Sequence, residues 1–159
     1  MINSRDINKL HPTVLKGFIE LRERVFRNPE FISFLNSLGL QVNGLHLLGV
    51  SSTFRDEASQ NALFAQGRTT PGAIVTNARG GFSMHNHKLA FDIFLNSKGN
   101  EWRHHIFFRI VGEEWVKMGG VWGGNWTGFV DRPHFEWSNG LSISDLRNGK
   151  QIPEDAKML

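Results

Sequence analysis

Cysteine is absent from this chain of 159 residues, so disulfide bonds play no part in its stability. The absence fits synthesis in a reducing compartment, and it leaves histidine and carboxylate side chains as the ligands for any zinc ion. Apolar runs are short, and none approaches the roughly 20 residues that a transmembrane helix needs. The sequence therefore excludes a disulfide-stabilised domain and a domain inserted in a membrane.

Three further patterns are missing. Residues 1–6 show no charged region followed by an apolar segment, so we expect no export signal. No dense run of lysine and arginine accompanies the net charge of +3 and the isoelectric point near 9.6. A solvated surface with a small cationic excess is the favoured interpretation, while attraction to a polyanionic envelope or to nucleic acid stays open. The glycine-rich segment 121–126 contains neither GxxxxGKS/T nor GxGxxG, so it predicts no phosphate-binding loop.

Apolar residues make up 40% of the chain and include 13 phenylalanines and 5 tryptophans, which predicts a packed core. The length suits one domain, residues 1–159. Within it we expect a helical N-terminal part at 1–44, a core with the functional residues at 45–140 and a polar C-terminal tail at 141–159. The last residues of that tail are expected to be loose.

Hydrophobic periodicity, together with proline, glycine and capping signals, locates the secondary structure. Pro12 suits the first turn of a helix, and Asn28 followed by Pro29 starts a second helix, which Gly39 ends. Helices are predicted over residues 12–27, 29–38, 56–66, 106–118 and 143–147. Strands are predicted over residues 47–50, 89–95 and 134–137.

Two segments without regular periodicity are expected beside a functional groove. Residues 67–82 are rich in Gly, Thr, Asn and Pro and predict a long loop, which we expect to form one rim of a substrate groove. Residues 121–126 contain two tryptophans between glycines and predict an aromatic wall with tight turns.

Two imidazoles and a carboxylate, from His85, Asp92 and His134, form a set suited to catalytic zinc. Three protein ligands leave a fourth coordination position open for water. Asp92 lies in an apolar strand, where a carboxylate is costly to bury unless it is paired or binds a metal. A buried aspartate that caps a neighbouring loop is the alternative interpretation.

A second polar segment, residues 131–137, supplies the rest of the site. On a strand, His134 and Glu136 lie on one face, whereas the aromatic residues Phe135 and Trp137 lie on the other. Asp131 is not needed as a ligand, so it is free to act as a general base.

These two segments resemble the signatures SxHxxGxAxD and (D/E)xxH of a zinc peptidase family. The family is VanY-like and includes D-alanyl-D-alanine carboxypeptidases, dipeptidases and the phage L-alanyl-D-glutamate endolysins. The matching residues are Ser83, His85, Ala90 and Asp92 in the first signature and Asp131 and His134 in the second. Aspartate at position 131, residues 51–56 with Gln60, and residues 65–72 are similar to the endolysin branch. The resemblance covers roughly residues 45–140.

Lys88 departs from the family pattern, which usually has glycine there. The departure leaves the ligands in place, but we expect it to change the turn between His85 and the strand that carries Asp92.

The resemblance implies an α+β fold of the hedgehog/D-Ala-D-Ala peptidase type, in which a small antiparallel sheet carries the zinc site and packs against several helices. It also implies one zinc ion per chain, with Asp131 taking a proton from water and passing it to the leaving amine. Arg55 would hold a substrate carboxylate or the charge on the scissile carbonyl oxygen, with a surface ion pair as its alternative. Gln60 and Ser83 would contact substrate, or Ser83 would support the ligand loop.

Each ligating imidazole should donate its other N–H to an acceptor, for which Glu136 and backbone carbonyls are candidates. Among the other histidines, His104 and His105 diverge by about 100° on a helix and cannot easily share a metal. We interpret these two, together with His11 and His46, as surface residues. His87 competes for a ligand role through its HxH spacing, but we expect it at the groove rim.

The function that the resemblance implies is cleavage of the L-Ala–D-Glu bond in the peptidoglycan stem peptide by a phage or prophage endolysin. Such an enzyme would be a monomer that waits in the host cytoplasm and acts on the periplasmic cell wall. A D,D-carboxypeptidase of related fold is one alternative. A non-enzymatic zinc-binding structural or signalling domain is another, although Asp131 argues against it. A nucleic-acid-binding module is disfavoured because no basic stripe is present.

Overall fold

A computed structural model describes residues 1–41 and 43–158. Val42 and Leu159, which fall in the predicted segments 1–44 and 141–159, lie outside the described residues. The helices are α1 (Pro12–Arg27), α2 (Pro29–Ser37), α3 (Glu57–Ala65), α4 (His105–Lys117) and α5 (Ile143–Arg147). The strands are β1 (Leu48–Ser52), β2 (Ala90–Leu95), β3 (Val121–Trp122) and β4 (His134–Glu136). Short 3-10 turns lie at Ile7–Lys9, Leu45–Leu47, Met84–His87 and Gly123–Asn125.

Local capping chemistry explains where the helices begin. Pro12 occupies the first turn of α1, and Asn28 caps α2 because its side-chain oxygen accepts from the backbone N–H groups of Glu30 and Phe31. Asp56 caps α3 through the N–H of Ser59. The predicted helices are therefore confirmed, with ends that differ by one or two residues.

The four strands form an antiparallel sheet in the order β1-β2-β4-β3, so the predicted α+β fold is confirmed. In the register, Asp92 of β2 lies opposite Ser52 of β1 on one side and opposite His134 of β4 on the other. Residues directly opposite each other share a face of the sheet. The pairing therefore places a ligand pair on one face before any side-chain contact is considered.

The other face of the sheet packs against the helices. Its buried apolar residues include Leu48, Phe91, Ile93, Leu95 and Phe135. Phe91 stands at the centre: it stacks on Phe135 at 5.4 Å and meets Phe18 of α1 and Trp115 of α4 edge-on. Burial of each such ring contributes roughly 1.5–3 kcal/mol, so this core fixes the sheet that carries the polar face.

Strand β3 was not predicted. Val121 and Trp122 pair with Glu136 and Phe135 of β4, and the Trp122 side chain is buried, with its indole N–H donating to the carbonyl of Arg132. The predicted aromatic wall is therefore wrong for Trp122, which belongs to the core.

The prediction of a loose C-terminal end is also wrong within residues 141–158. Ile152 is buried and its carbonyl lies 3.1 Å from His11 Nε2. The hydroxyl of Thr13 donates to the carbonyl of Ala156 at 2.7 Å. The tail is thus fixed against the start of α1, and His11 is a half-buried bridging residue rather than a surface one.

His104 also differs from the prediction of a surface position. It is half-buried, packs edge-on against Phe34 and lies 2.8 Å from Asn100 Oδ1 through Nε2. His46 and His105 are exposed, as predicted.

No helix in residues 1–41 and 43–158 combines the length and apolar character that a bilayer crossing requires.

Candidate metal centre and groove

His85, Asp92 and His134 converge on one point above the polar face of the sheet. The 3-10 turn Met84–His87 delivers His85, while β2 and β4 deliver the other two. His85 Nε2 and His134 Nδ1 each lie 3.2 Å from Asp92 Oδ1. The three ligand atoms lie within 4.8 Å of one another, and both imidazoles are buried.

The hydrogen bonds around this group fit a divalent cation. His85 Nδ1 lies 2.7 Å from the carbonyl oxygen of Thr53, which can only accept, so Nδ1 carries the proton and Nε2 offers its lone pair. His134 Nε2 lies 2.7 Å from Glu136 Oε2, which leaves Nδ1 to face the centre. Glu136 and the Thr53 carbonyl thus lie where the sequence predicts the acceptors of the imidazole N–H groups.

Asp92 and His134 change each other's pKa values. Burial opposes ionisation of Asp92, but the imidazoles of His85 and His134 hold the pKa of that carboxyl well below its usual value. Burial likewise lowers the pKa of His134, yet its hydrogen bonds to Asp92 and Glu136 outweigh this and raise that pKa to about 10. Without a cation, the centre therefore holds a proton on His134 in the place that a metal would take.

Arg55 lies beside this centre, just before the N-cap of α3. Only 7% of the residue is exposed, and its NH2 nitrogen lies 2.9 Å from Ser52 Oγ and 3.4 Å from Asp92 Oδ2. Burial lowers the pKa of the guanidinium, while the charges of Asp92 and Asp131 act in the opposite direction. The alternative of a surface ion pair is therefore wrong, because the guanidinium points into the groove and Asp56 is engaged in capping α3.

Gln60 is placed differently from the prediction of a substrate contact. It is 0% exposed, and Oε1 accepts from Arg55 NH1 at 2.8 Å. Its amide nitrogen donates to the carbonyl of Ala78 at 2.8 Å and to Thr76 Oγ1 at 3.3 Å. Since both ends of the amide are used inside the protein, Gln60 orients Arg55 and ties down the 76–78 segment instead of reaching substrate.

Asp131 lies on the wall of the same groove. Its backbone N–H donates to the carbonyl of Gly123 at 3.0 Å, and a Cβ on residue 123 would collide with the Asp131 carbonyl oxygen, so glycine is required for this approach. Burial raises the pKa of the Asp131 carboxyl, and the charge of Asp92 adds to the effect against the opposing His134. A raised pKa suits a group that accepts and then returns a proton.

Ser83 and Lys88 bracket the turn that carries His85. Ser83 Oγ accepts from the backbone N–H of His85, and Asn86 completes the capping box, so Ser83 supports the ligand turn while also lining the groove. Lys88 ends the turn in the left-handed region, with φ of 63°. This conformation explains why glycine would suit the position.

His87 does not lie at the groove rim, so that prediction is wrong. Its Nε2 lies 3.2 Å from the carbonyl of Gly81, and it lines a separate cavity of about 340 Å³ together with His11 and Ile152. In the part of the chain that the structure describes, the group with the geometry to hold a cation consists of His85, Asp92 and His134, and His87 is outside it.

The metal centre opens into a groove of about 890 Å³. One wall consists of Val75–Ala78, so the prediction that the 67–82 loop forms a rim is confirmed. Trp126 lies on another wall, and its ring is 5.1 Å from that of His134. The prediction of an aromatic wall therefore holds for Trp126.

Sequence reasoning missed the N-terminal contribution to this site. The backbone of residues 2–4 pairs with that of residues 53–56. The N–H of Ser4 donates to the carbonyl of Phe54 at 2.8 Å, and Asn3 forms an antiparallel β-bridge with Arg55. Asn3 lines the groove, and its Oδ1 accepts from the hydroxyl of Ser52 at 2.7 Å. No local periodicity signals this contact, because it joins residues 49 positions apart.

Residues 76–137 match the profile of a family described as D-alanyl-D-alanine carboxypeptidase. The matched segment contains His85, Asp92, Asp131 and His134, so it is the segment that carries the metal centre. The chain is similar to this peptidase family over that segment.

Two similar proteins are informative. The peptidoglycan L-alanyl-D-glutamate endopeptidase CwlK of Bacillus subtilis is 39% identical over 98 residues, which cover 55% of this chain and 58% of CwlK. The chain thus spans somewhat more than half the length of that relative. The crystal structure of the L-Ala D-Glu endopeptidase ChiX of Serratia marcescens matches with a TM-score of 0.52 and 19% identity over 92% of each chain. This second match shows a shared fold.

Proposed function

We propose that this protein is a zinc-dependent peptidoglycan endopeptidase that cleaves the L-Ala–D-Glu bond of the stem peptide, with the whole chain acting as one peptidase domain. The observation that carries the proposal is the convergence of His85, Asp92 and His134 in an open groove that Arg55 and Asp131 also line. We infer the substrate from CwlK and ChiX, which are both described as endopeptidases for this bond.

His85 Nε2, an oxygen of Asp92 and His134 Nδ1 would hold one zinc ion per chain, and Glu136 and the Thr53 carbonyl would keep the two imidazoles in the required tautomers. When bound, zinc supplies Lewis-acid polarisation of the scissile carbonyl and lowers the pKa of water. With no thiol in the chain, the nitrogen and oxygen donors of this group match what zinc accepts.

Asp131 would accept the proton of the attacking water and return it to the leaving amine. Arg55, held by Gln60 and Ser52, would place its guanidinium where negative charge develops on the carbonyl oxygen. Because Arg55 is fixed by hydrogen bonds before substrate arrives, little reorganisation is needed during the reaction.

We further propose that the protein acts as a phage or prophage endolysin. It would be a monomer that stays in the host cytoplasm until lysis and then degrades the periplasmic cell wall. The basis is the similarity of the Asp131 motif and of the Arg55 region to the endolysin branch.

The decisive experiment is mass spectrometry of fragments released from purified peptidoglycan, with and without a chelator. The expected products carry a new N-terminal D-glutamate and disappear on chelation. Release of terminal D-alanine alone would indicate a D,D-carboxypeptidase instead. A protein that binds stoichiometric zinc and releases nothing would indicate a non-enzymatic zinc-binding domain.

A further inference from the structure

Trp102 forms an exposed aromatic platform on the groove that contains the metal centre. It is 54% exposed, and its ring lies 5.7 Å from that of Phe94 at an interplanar angle of 35°. Trp102 lines the groove, yet none of the proposed catalytic steps uses it. An indole ring at the wall of a groove offers a flat apolar face against which a ligand ring can pack.

Trp102 packs against Phe94, which lies on the same strand as Asp92 of the metal centre. Asp92 and Phe94 are two residues apart on β2 and therefore share a face of the sheet, about 7 Å apart. Opposite Phe94 lies Gly49 of β1, where a Cβ would come within 2.5 Å of the Phe94 ring. Glycine at this position lets the Phe94 ring lie across β1, where it packs against Trp102.

Other aromatic residues of the groove are less available. The guanidinium of Arg147 lies 3.7 Å above the ring of Phe82, and Trp126 packs against His134. Trp102 is the most exposed aromatic side chain among the described residues that line the groove. It is therefore the residue best placed to stack against a flat ligand ring.

We propose that Trp102 stacks against a sugar ring of the glycan strand to which the stem peptide is attached, an inference that rests on the proposed function. In peptidoglycan, a lactyl group and L-alanine separate the sugar from the L-Ala–D-Glu bond. These two units span about 7 Å when extended, which is comparable to the spacing from Asp92 to Phe94 along β2, and the Trp102 ring lies 5.7 Å from the ring of Phe94. With the scissile bond at the metal centre and the L-Ala side of the substrate directed along β2, the sugar would lie beside Phe94 and within reach of Trp102, whose apolar ring suits the C–H face of a pyranose.

The test compares binding of two ligands: a disaccharide-linked muropeptide, and the same peptide freed of its sugar by an amidase. Calorimetric titration would use Asp131→Asn protein, so that hydrolysis does not interfere, with and without Trp102→Ala. We expect Trp102→Ala to weaken binding of the glycan-linked ligand by about tenfold and to leave binding of the free peptide within about twofold. Trp102→Phe should restore most of the loss.

Ile19→Ala is the matched control, because Ile19 is an exposed apolar residue on α1 outside the groove. Circular dichroism would verify that all variants fold. Equal losses for both ligands, or no loss for either, would overturn the sugar-stacking proposal. Because binding is measured without turnover, this result stands apart from the proposed function, which fails only if wild-type protein releases no D-glutamate product from peptidoglycan.

Discussion

The side-chain oxygen of the buried Gln60 accepts a hydrogen bond of 2.8 Å from the guanidinium of Arg55. Through its other end, Gln60 also holds the carbonyl of Ala78 on the groove rim. One side chain thus links the orientation of Arg55 to the position of the loop that contacts the groove. Loss of this link should affect both stability and catalysis.

We predict that Gln60→Ala lowers the free energy of unfolding by about 1–3 kcal/mol, because buried groups of Arg55 and Ala78 lose their partners. We also predict a fall in kcat greater than any change in KM, since Arg55 would lose the orientation needed in the transition state. Urea unfolding and steady-state kinetics measure the two effects. Gln151→Ala, an exposed glutamine, serves as the control. A Gln60→Ala variant with raised KM alone would instead indicate a direct substrate contact.

Two variants distinguish a residue that binds the metal from the residue that acts as the base. Asp131→Asn should retain zinc at close to one equivalent and lose hydrolysis, since an amide cannot accept the water proton. His134→Ala should lose both, because only two of the three ligands remain. Metal analysis after dialysis and a peptidoglycan hydrolysis assay check these outcomes. Equal loss of zinc in the two variants would show that the roles are assigned wrongly.

Zinc binding should release a proton from His134. The pKa of this imidazole in the folded, metal-free protein is about 10, so Nδ1 is protonated at neutral pH and must lose that proton to bind a metal. Calorimetry near pH 8 in buffers of different ionisation enthalpy should therefore show about one proton released per zinc. Glu136→Gln removes a group that raises this pKa and should reduce the release. Binding enthalpy that does not depend on the buffer would contradict the prediction.

The same pKa has a consequence for the stability of the metal-free protein. Because the folded pKa of about 10 lies above the ordinary value of 6.5, protonation of His134 favours the folded state. This contribution is complete below pH 6.5 and is lost as the pH rises towards 10. Thermal unfolding of chelated protein should show falling stability across that range, and saturating zinc should reduce the dependence.

Replacement of Lys88 by glycine should stabilise the protein. Lys88 has φ of 63°, a left-handed conformation that costs a residue with a side chain about 1–2 kcal/mol. Part of this gain is offset by the extra freedom of glycine in the unfolded chain, so we expect about 0.5–1 kcal/mol net. Chemical denaturation measures the change. Lys88→Ala removes the same amine but keeps the strain, so it should give no gain; equal stabilisation by both would assign the effect to charge.

The sequence by itself determined the local features of this protein. Pro12 and the Asn28-Pro29 pair specify helix starts, because capping and proline stereochemistry act within one turn. The alternation along 134–137 specifies which face carries His134 and Glu136. The residue types of His85, Asp92 and His134 also indicated a cation site, since few other arrangements compensate a carboxylate in an apolar strand.

Only the tertiary structure decided which other residues reach that site. It directed Gln60 inward and His87 into a separate cavity, and it brought Asn3 and Trp102 to the groove. It also packed the tail against α1. These outcomes depend on contacts between residues far apart in the chain, and such contacts leave no periodic or capping signal because their geometry is set by how the sheet and helices pack together.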